Sequence, residues 1–332
     1  MAKVRLVGPD VIKGIAITLM VFGHITYIGD SRTFQIILKN YIYTFHMPLF
    51  LFVSGYFFIP SSPLLKYFKN TILKIFIPYF IFITIYLLLL SYLNMIGFNA
   101  SNHIGDLSIQ AYLYKVFIHP IGGYWFLHTL VIYQLLLTLS TYVNKKQAGI
   151  EKVLIVFIFI FYILKEYLGV GISAENFSFL LLGYILRINK ILLPENIFSI
   201  LLILLFYITY STTEIKNDFL VHLVWVLSIT SIIMYTSNRF YSTFLIRLVS
   251  FIGRNTLIIL VLHVFFINIF KLLGAKFLIL DEGGIVYSIS TTVMTVGLSI
   301  FSAYVFDYLK LSKYIFNVNT IYQPFKYEKN IP

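Results

Sequence analysis

The chain has 332 residues, of which 59% are hydrophobic and only 11% are charged. Soluble globular domains carry about 25% charged residues, so this composition excludes an ordinary soluble domain and indicates a polytopic membrane protein. The formal net charge of +12 is explained by basic residues in the predicted cytoplasmic loops, described below. It is therefore no evidence for nucleic-acid binding, and we expect none. The sequence has no cysteine, which excludes disulfides and thiolate chemistry.

Ten apolar stretches have the length, or nearly the length, of about 20 residues that a helix needs to cross a bilayer. In chain order they lie at approximately 11–30, 41–59, 71–93, 124–143, 152–168, 174–188, 197–213, 219–236, 254–273 and 285–307. We therefore predict an all-α fold, a polytopic membrane bundle of about ten transmembrane helices. No internal repeat or long soluble segment is visible, so we predict a single domain over 1–332, with a core at about 5–307 and a short tail at 308–332.

The distribution of basic residues predicts the orientation of these spans. With the N-terminus inside, 18 of the 25 lysines and arginines fall in inner segments, whereas 8 of the 13 acidic residues fall in outer segments. This matches the excess of basic residues in cytoplasmic loops. We predict that both termini are cytoplasmic. The abundance of Ile, Lys, Phe and Tyr is typical of an AT-rich bacterial genome, so we place the chain in a bacterial cytoplasmic (inner) membrane.

Histidines inside the predicted spans are the main functional signal, because an ionisable group in a span costs a few kcal/mol. His24 and His46 reach similar depths on the first two spans, His128 lies on the fourth, and His263 lies near the middle of the ninth. A single membrane histidine is as often a structural hydrogen-bond partner as a functional group. Several at similar depth favour a shared site, for which His24 and His46 are the leading catalytic candidates.

The first span also carries Asp10 and Lys13 near its inner end. Lys13 and His24 are 11 residues apart, about three helical turns, so they share one face at a separation of about 16 Å. An extended ligand with an anionic end, such as acyl-coenzyme A, fits that arrangement. For Lys13 alone, the alternative is a positively charged topology anchor.

The inner segment after the second span contributes three further cations, Lys66, Lys69 and Lys74. Lys66 and Lys69 are helical neighbours, and a lysine cluster binds phosphate as point charges. The alternative is that these lysines are ordinary members of a cytoplasmic loop. Alone, this cluster is a weak signal.

The stretch YTFHMPLFLFVSGY, residues 43–56, contains polar residues that a plain membrane span would not need. Pro48 lacks an N–H group, so we expect the span to kink or open near His46. His46, Phe50 and Ser54 follow one another at intervals of four and form one stripe, while Gly55 permits close approach of another helix. The pattern predicts a span that holds polar groups in a cavity.

Together these motifs resemble the acyltransferase 3 family of integral-membrane acyltransferases. The motifs that carry the resemblance are DVIKG at 10–14, GH at 23–24, FHMPLF at 45–50, SGY at 54–56, PY at 78–79, YWFL at 124–127, IGRNT at 252–256 and LH at 262–263. The FHMPLF run is most similar to the fucose O-acetylase and polysaccharide O-acetyltransferase branch. The likeness spans residues 5 to 307.

The resemblance implies transfer of an acetyl group from cytoplasmic acetyl-CoA, as co-substrate, to a hydroxyl of a cell-surface or lipid-linked glycan. His24 would be the general base, with a covalent acetyl-imidazole as a less favoured variant. His46 would position the acceptor or stabilise the oxyanion. The expected supporting residues are Asp10, Ser54, His128, Asn255 and His263, and the expected donor-binding residues are Lys13, Lys66, Lys69, Lys74 and Arg254.

A polysaccharide or lipid-linked glycan transporter is the alternative function, because polar residues around a mid-membrane cavity also describe a substrate path. The absence of an inverted repeat and the few acidic residues at membrane depth argue against it. No metal is expected, because no cysteine and no pair of histidines four apart on one helix is present. The expected partners are acyl-CoA, the glycan acceptor and the lipid bilayer; the oligomeric state is left open.

Overall fold

In a computed structural model of the chain, the residues described are 7–59, 64–98, 107–143, 156–158, 160–161, 172–279 and 281–325. All of their regular elements are helical, so the predicted all-α fold is confirmed for this part of the chain. We number the helices α1 (Val7–His24), α2 (Arg32–Ile42), α3 (His46–Tyr56), α4 (Leu64–Thr71), α5 (Ile77–Met95), α6 (Ile109–Phe117), α7 (Tyr124–Val143), α8 (Ala174–Ile188), α9 (Ser199–Thr209), α10 (Thr212–Asn217), α11 (Phe219–Arg239), α12 (Phe244–Arg254), α13 (Thr256–Lys271), α14 (Gly274–Leu278), α15 (Ile285–Tyr308) and α16 (Leu311–Ile315).

Within the described ranges, five helical segments are long and apolar enough to cross a membrane, as an integral membrane protein requires. They are Val7–His24, Arg32–Tyr56, Leu65–Met95, Phe219–Arg239 and Ile285–Tyr308. The helices α12 and α13 form a sixth candidate, bent by 82°. The prediction of ten spans is therefore not confirmed, although the predicted stretches 124–143 and 174–188 coincide with α7 and α8. The predicted span 152–168 lies largely outside the described residues.

Glycines bring α1 into direct backbone contact with α12. A Cβ atom on Gly253 would lie 1.7 Å from the carbonyl oxygen of Asp10, and one on Gly14 would lie 2.0 Å from that of Val249. Small residues allow this approach between membrane helices, where van der Waals packing replaces the hydrophobic effect as the source of association. The contact fixes the first half of α1. We call this end of the bundle the Asp10 end and the opposite end, where α1 finishes, the histidine end.

A second pair of glycines joins α3 to α8. A Cβ on Gly55 would lie 1.8 Å from the carbonyl oxygen of Leu180, and one on Gly183 would lie 2.0 Å from that of Phe52. The expected close approach of a helix at Gly55 is therefore present. It holds α3 rigidly against α8, and through α3 it positions His46.

The chain opens between α2 and α3, immediately before His46. The helix α2 ends at Ile42, a turn covers residues 43–45, and Pro48 falls in the first turn of α3. Proline costs little there, since the first N–H groups of a helix have no partner within the helix. The predicted opening of this span near His46 is thus present, and the break lies one turn earlier in the chain than Pro48 itself.

The segment after α15 folds back onto the Asp10 end. The Asp307 carboxylate accepts hydrogen bonds from the backbone N–H groups of Ile321 and Tyr322, at 2.8 Å and 2.9 Å. The Asn255 amide pairs with the backbone of Gln323 in both directions, at 3.0 Å and 2.9 Å. The tail is therefore packed against the bend between α12 and α13, at least as far as residue 323.

The glycine contact between α3 and α8 gives a stability prediction. We expect Gly55→Ala to lower the free energy of unfolding by about 1–3 kcal/mol or more, because the new Cβ atom meets backbone that cannot rotate away. The measurement is thermal unfolding in detergent. The matched control is Gly297→Ala on α15, where a Cβ atom would have no neighbour within 4 Å. Equal melting temperatures for the two variants would contradict the contact.

Candidate active site

A cavity of about 260 Å³, the main cavity, lies between α1, α3, α7, α8 and the start of α11. Ile17, Met20 and His24 line it from one face of α1, at positions i, i+3 and i+7. Lys13 is the next position on this face toward the Asp10 end. The opposite wall and the rim include Tyr43, His46, Trp125, Glu175, Lys216 and His222.

Three of the predicted histidines meet at this cavity or directly behind it. The ring centroids of His24 and His263 are 5.3 Å apart, and Tyr43 links the group to His46, at 6.3 Å from His24 and 5.0 Å from His46. Gly123 leaves room for the buried His263 ring, because a Cβ there would lie 2.5 Å from its Cε1 atom. The structure thus brings His24, His46 and His263 together, whereas His128, which was expected to join His24 and His46, lies elsewhere.

Backbone carbonyls fix the tautomer of two of these rings. The Nδ1 atom of His46 lies 2.8 Å from the carbonyl oxygen of Ile42, and Nδ1 of His263 lies 2.8 Å from that of Leu260. A carbonyl oxygen can only accept, so both Nδ1 atoms carry the proton and both Nε2 atoms offer a lone pair in the neutral ring. The Nε2 atom of His263 is buried without a hydrogen-bond partner among the described residues.

His24 has a different environment, because it borders two cavities. Besides the main cavity it lines a smaller one of about 170 Å³, the side cavity, together with Gly23, Lys39 and Asn268. No described residue forms a hydrogen bond with the His24 ring. The Tyr43 hydroxyl donates to the Gly23 carbonyl oxygen at 2.8 Å and so pins the end of α1. The ring of His24 is therefore positioned by its helix and remains available to a substrate.

An ionic group occupies the rim of the main cavity. The Nδ1 atom of His222 contacts the Glu175 carboxylate, and its Nε2 atom lies 2.5 Å from the carbonyl oxygen of Thr44. Lys216 projects beside this pair from α10. Partial burial lowers the pKa of the Lys216 ammonium, and the charge of Glu175 opposes that shift.

The Asp10 end carries the predicted donor-binding cations. Lys13 forms an ion pair with the buried Asp10 at 2.7 Å, one turn away on α1. Arg254 ends α12 next to Gly253, which touches the Asp10 backbone. Lys66 and Lys69 of α4 and Lys74, three residues after its end, are exposed to solvent. We call this segment, residues 64–74, the α4 region.

Three predicted site residues lie away from the cavities around His24. Ser54 does not line the main cavity, although His46 and Phe50 of the same stripe do. His128 bonds through Nε2 to the carbonyl oxygen of Phe117 at 2.9 Å and packs near Tyr79. Both polar atoms of the Asn255 amide are engaged with the folded tail. The geometry thus gives His128 and Asn255 structural contacts.

Sequence reasoning did not single out several residues that border His24 or the rim. They are Lys39, Tyr43, Glu175 and Lys216. A usable signal was present, because Glu175 and Lys216 lie near the ends of predicted spans that face the same side as the start of the second span. His222, which the sequence places close to the outer end of the eighth span, also borders the main cavity. In the described ranges, no group of three or more His, Asp or Glu side chains is arranged to hold a metal ion.

Comparison with known protein families decides the class of this chain. The family model of the acyltransferase domain Acyl_transf_3 matches residues 6–304, which is most of the sequence. The chain belongs to the acyltransferase 3 family. The match covers α1 to α14 and most of α15, including every residue given above for the main cavity and the side cavity. No curated protein and no solved structure gave a match.

The hydrogen bonds of the histidines predict their tautomers. In a sample with ¹⁵N-labelled histidine, we expect His46 and His263 to show a protonated Nδ1 and an unprotonated Nε2. The measurement is solid-state NMR in nanodiscs, with assignment by His46→Gln and His263→Gln. The exposed His119 is the internal control, since its ring nitrogens can exchange protons with water. A protonated Nε2 with a bare Nδ1 at either position would contradict the geometry.

Proposed function

We propose that this membrane acyltransferase is an O-acetyltransferase that moves an acetyl group from cytoplasmic acetyl-CoA to a hydroxyl of a cell-surface or lipid-linked glycan. The proposal rests on the position of His24. Its ring borders two cavities, lies next to a second histidine and makes no hydrogen bond with the described residues, in a chain of the acyltransferase 3 family. The bacterial inner membrane, with both termini cytoplasmic, is the location we propose.

The donor would approach from the Asp10 end. The ammonium of Lys13 is shared with Asp10, so the phosphates of coenzyme A would be met by Lys13 together with the exposed lysines of the α4 region and Arg254. The thioester would then extend along the face of α1 that carries Ile17 and Met20. This path ends at His24, about 16 Å from Lys13.

The reaction is a single acyl transfer with His24 as general base. The ring takes the proton of the acceptor hydroxyl as its oxygen attacks the thioester carbonyl carbon. When the carbon–sulfur bond breaks, the imidazolium returns the proton to the departing thiolate of coenzyme A. The ring of His263, whose Nε2 is unpartnered and whose centroid lies 5.3 Å from that of His24, would accept the other N–H of His24 after a small shift of the rings and so hold the tautomer that the base requires.

The tautomer of His46 limits the catalytic roles that this ring can have. Its Nε2 atom has a lone pair and no proton, so it can accept a hydrogen bond from the acceptor hydroxyl but cannot donate one to an oxyanion. We therefore assign His46 to positioning the acceptor. Donors that border the cavities around His24 are the Lys39 ammonium and the indole N–H of Trp125, and these are better suited to stabilising the oxyanion.

The decisive variant is His24→Ala. We expect transfer to fall by about 10²–10⁴-fold with normal expression, because general acid–base catalysis contributes that much. Purified protein in nanodiscs is incubated with radiolabelled acetyl-CoA and a lipid-linked glycan fraction, and label is followed into glycan. His119→Ala, which removes an exposed histidine, is the matched control and should retain activity.

Two other outcomes are informative. Full activity in the His24 variant would remove this residue from the mechanism. If the wild-type protein neither releases coenzyme A nor binds acetyl-CoA, acetyl transfer is excluded and glycan transport becomes the leading function.

A further inference from the structure

Lys216 is a cation at the rim of the main cavity that forms no ion pair with the described residues. Lys216 belongs to α10, a short helix that begins with a capping box: the Ser211 hydroxyl and N–H both bond the Glu214 carboxylate, each at 2.7 Å, and the Glu214 N–H returns a bond at 3.3 Å. This reciprocal cap orders a helix of only six residues. Lys216 is thereby held at the mouth of the cavity that contains His24 and His46.

The nearest carboxylate is engaged elsewhere. The carbonyl oxygen of Thr44 can only accept, so the Nε2 atom of His222 carries a proton, and its Nδ1 atom contacts the Glu175 carboxylate. The charge of Glu175 acts on Lys216, but the carboxylate pairs with His222. Among the described residues, no carboxylate lies within ion-pair distance of Lys216, so its ammonium is available to a ligand.

The chemistry beside Lys216 suits a sugar. Trp125 and Tyr43 line the same cavity and offer aromatic surface, on which the apolar face of a sugar ring can pack. The volume of about 260 Å³ is below the range of about 300–1,000 Å³ of drug-sized sites, so the cavity takes a small group such as one ring. A ring held there would lie between Lys216 at the rim and the two histidines.

Building on the proposed function, we propose that Lys216 selects an acidic acceptor, a sugar with an anionic group close to the hydroxyl that is acylated. The anion is either the carboxylate of an acidic sugar or the phosphate that joins a sugar to its lipid carrier. The Lys216 ammonium binds this anion as a point charge, and the sugar hydroxyl then reaches His46 and His24. A neutral glycan lacks this contact.

The test compares acceptors of different charge. Wild type, Lys216→Gln and Lys216→Arg are assayed in nanodiscs with a neutral oligosaccharide, the same oligosaccharide with a terminal hexuronic acid, and a sugar-phosphate lipid. For the glutamine variant we expect KM for an anionic acceptor to rise about tenfold or more, because a charge-assisted contact is lost. KM for the neutral acceptor should not change, and arginine should restore most of the loss. The anionic acceptor that responds identifies the carboxylate or the phosphate as the group bound.

The controls separate this inference from the proposed function. In the absence of acceptor, water can take the place of the hydroxyl, and the resulting release of coenzyme A reports donor binding and the action of His24; it should be equal in wild type and both variants. Lys276→Gln, at an exposed lysine that does not line the main cavity, should behave as wild type with every acceptor. Equal KM changes for neutral and anionic acceptors would overturn the role of Lys216 while leaving acyl transfer intact. Absence of coenzyme A release and of transfer in wild type would overturn both.

Discussion

The break between α2 and α3 is the constraint on which the site depends. Within a membrane, backbone groups released from a helix must find partners in the protein, since hydrocarbon offers none. Here the partners are side chains: His46 bonds the Ile42 carbonyl oxygen, His222 bonds that of Thr44, and the Thr44 hydroxyl donates to the Tyr41 carbonyl oxygen at 2.6 Å. Two of the residues that close the break, His46 and His222, therefore also line the main cavity.

The same kind of hydrogen bond determines which ring nitrogens of each histidine are available for chemistry. A ring that donates Nδ1–H to the backbone has only a lone pair left at Nε2, as in His46 and His263. His222 is bonded through both nitrogens and serves as a structural bridge to Glu175. His24, at the very end of α1, makes no such bond with the described residues and keeps both ring nitrogens for substrate and for His263. The ring that is not needed for structure is the one that is free to move a proton.

The sequence allowed much of this arrangement to be predicted, because helical periodicity and membrane depth are local properties. The bounds of α7 and α8, the opening near His46, the helix contact at Gly55 and the shared cavity of His24 and His46 all follow from such patterns. Contacts between residues far apart in the sequence could not be predicted from local patterns. The bond of His222 to Thr44 joins residues 178 positions apart, and nothing in either sequence neighbourhood specifies it. Asn255 was misleading for the same reason, since its amide is taken by a tail residue 68 positions away.

The cations near the two ends of α1 differ in their pairing and in their exposure to water, and this difference has consequences for binding. At the Asp10 end, Lys13 is matched by a buried carboxylate, and the additional cations of the α4 region are exposed to water. Exposed cations attract phosphates over a long range but hold them weakly and in a salt-dependent way. At the histidine end, Lys216 is partly buried near Glu175, whose carboxylate is engaged with His222. In the proposed reaction, recognition at the Asp10 end would be spread over several weak contacts, which suits a donor that must leave after each turnover. Recognition at the histidine end would be concentrated in one residue close to the reacting hydroxyl, where a misplaced acceptor would be rejected.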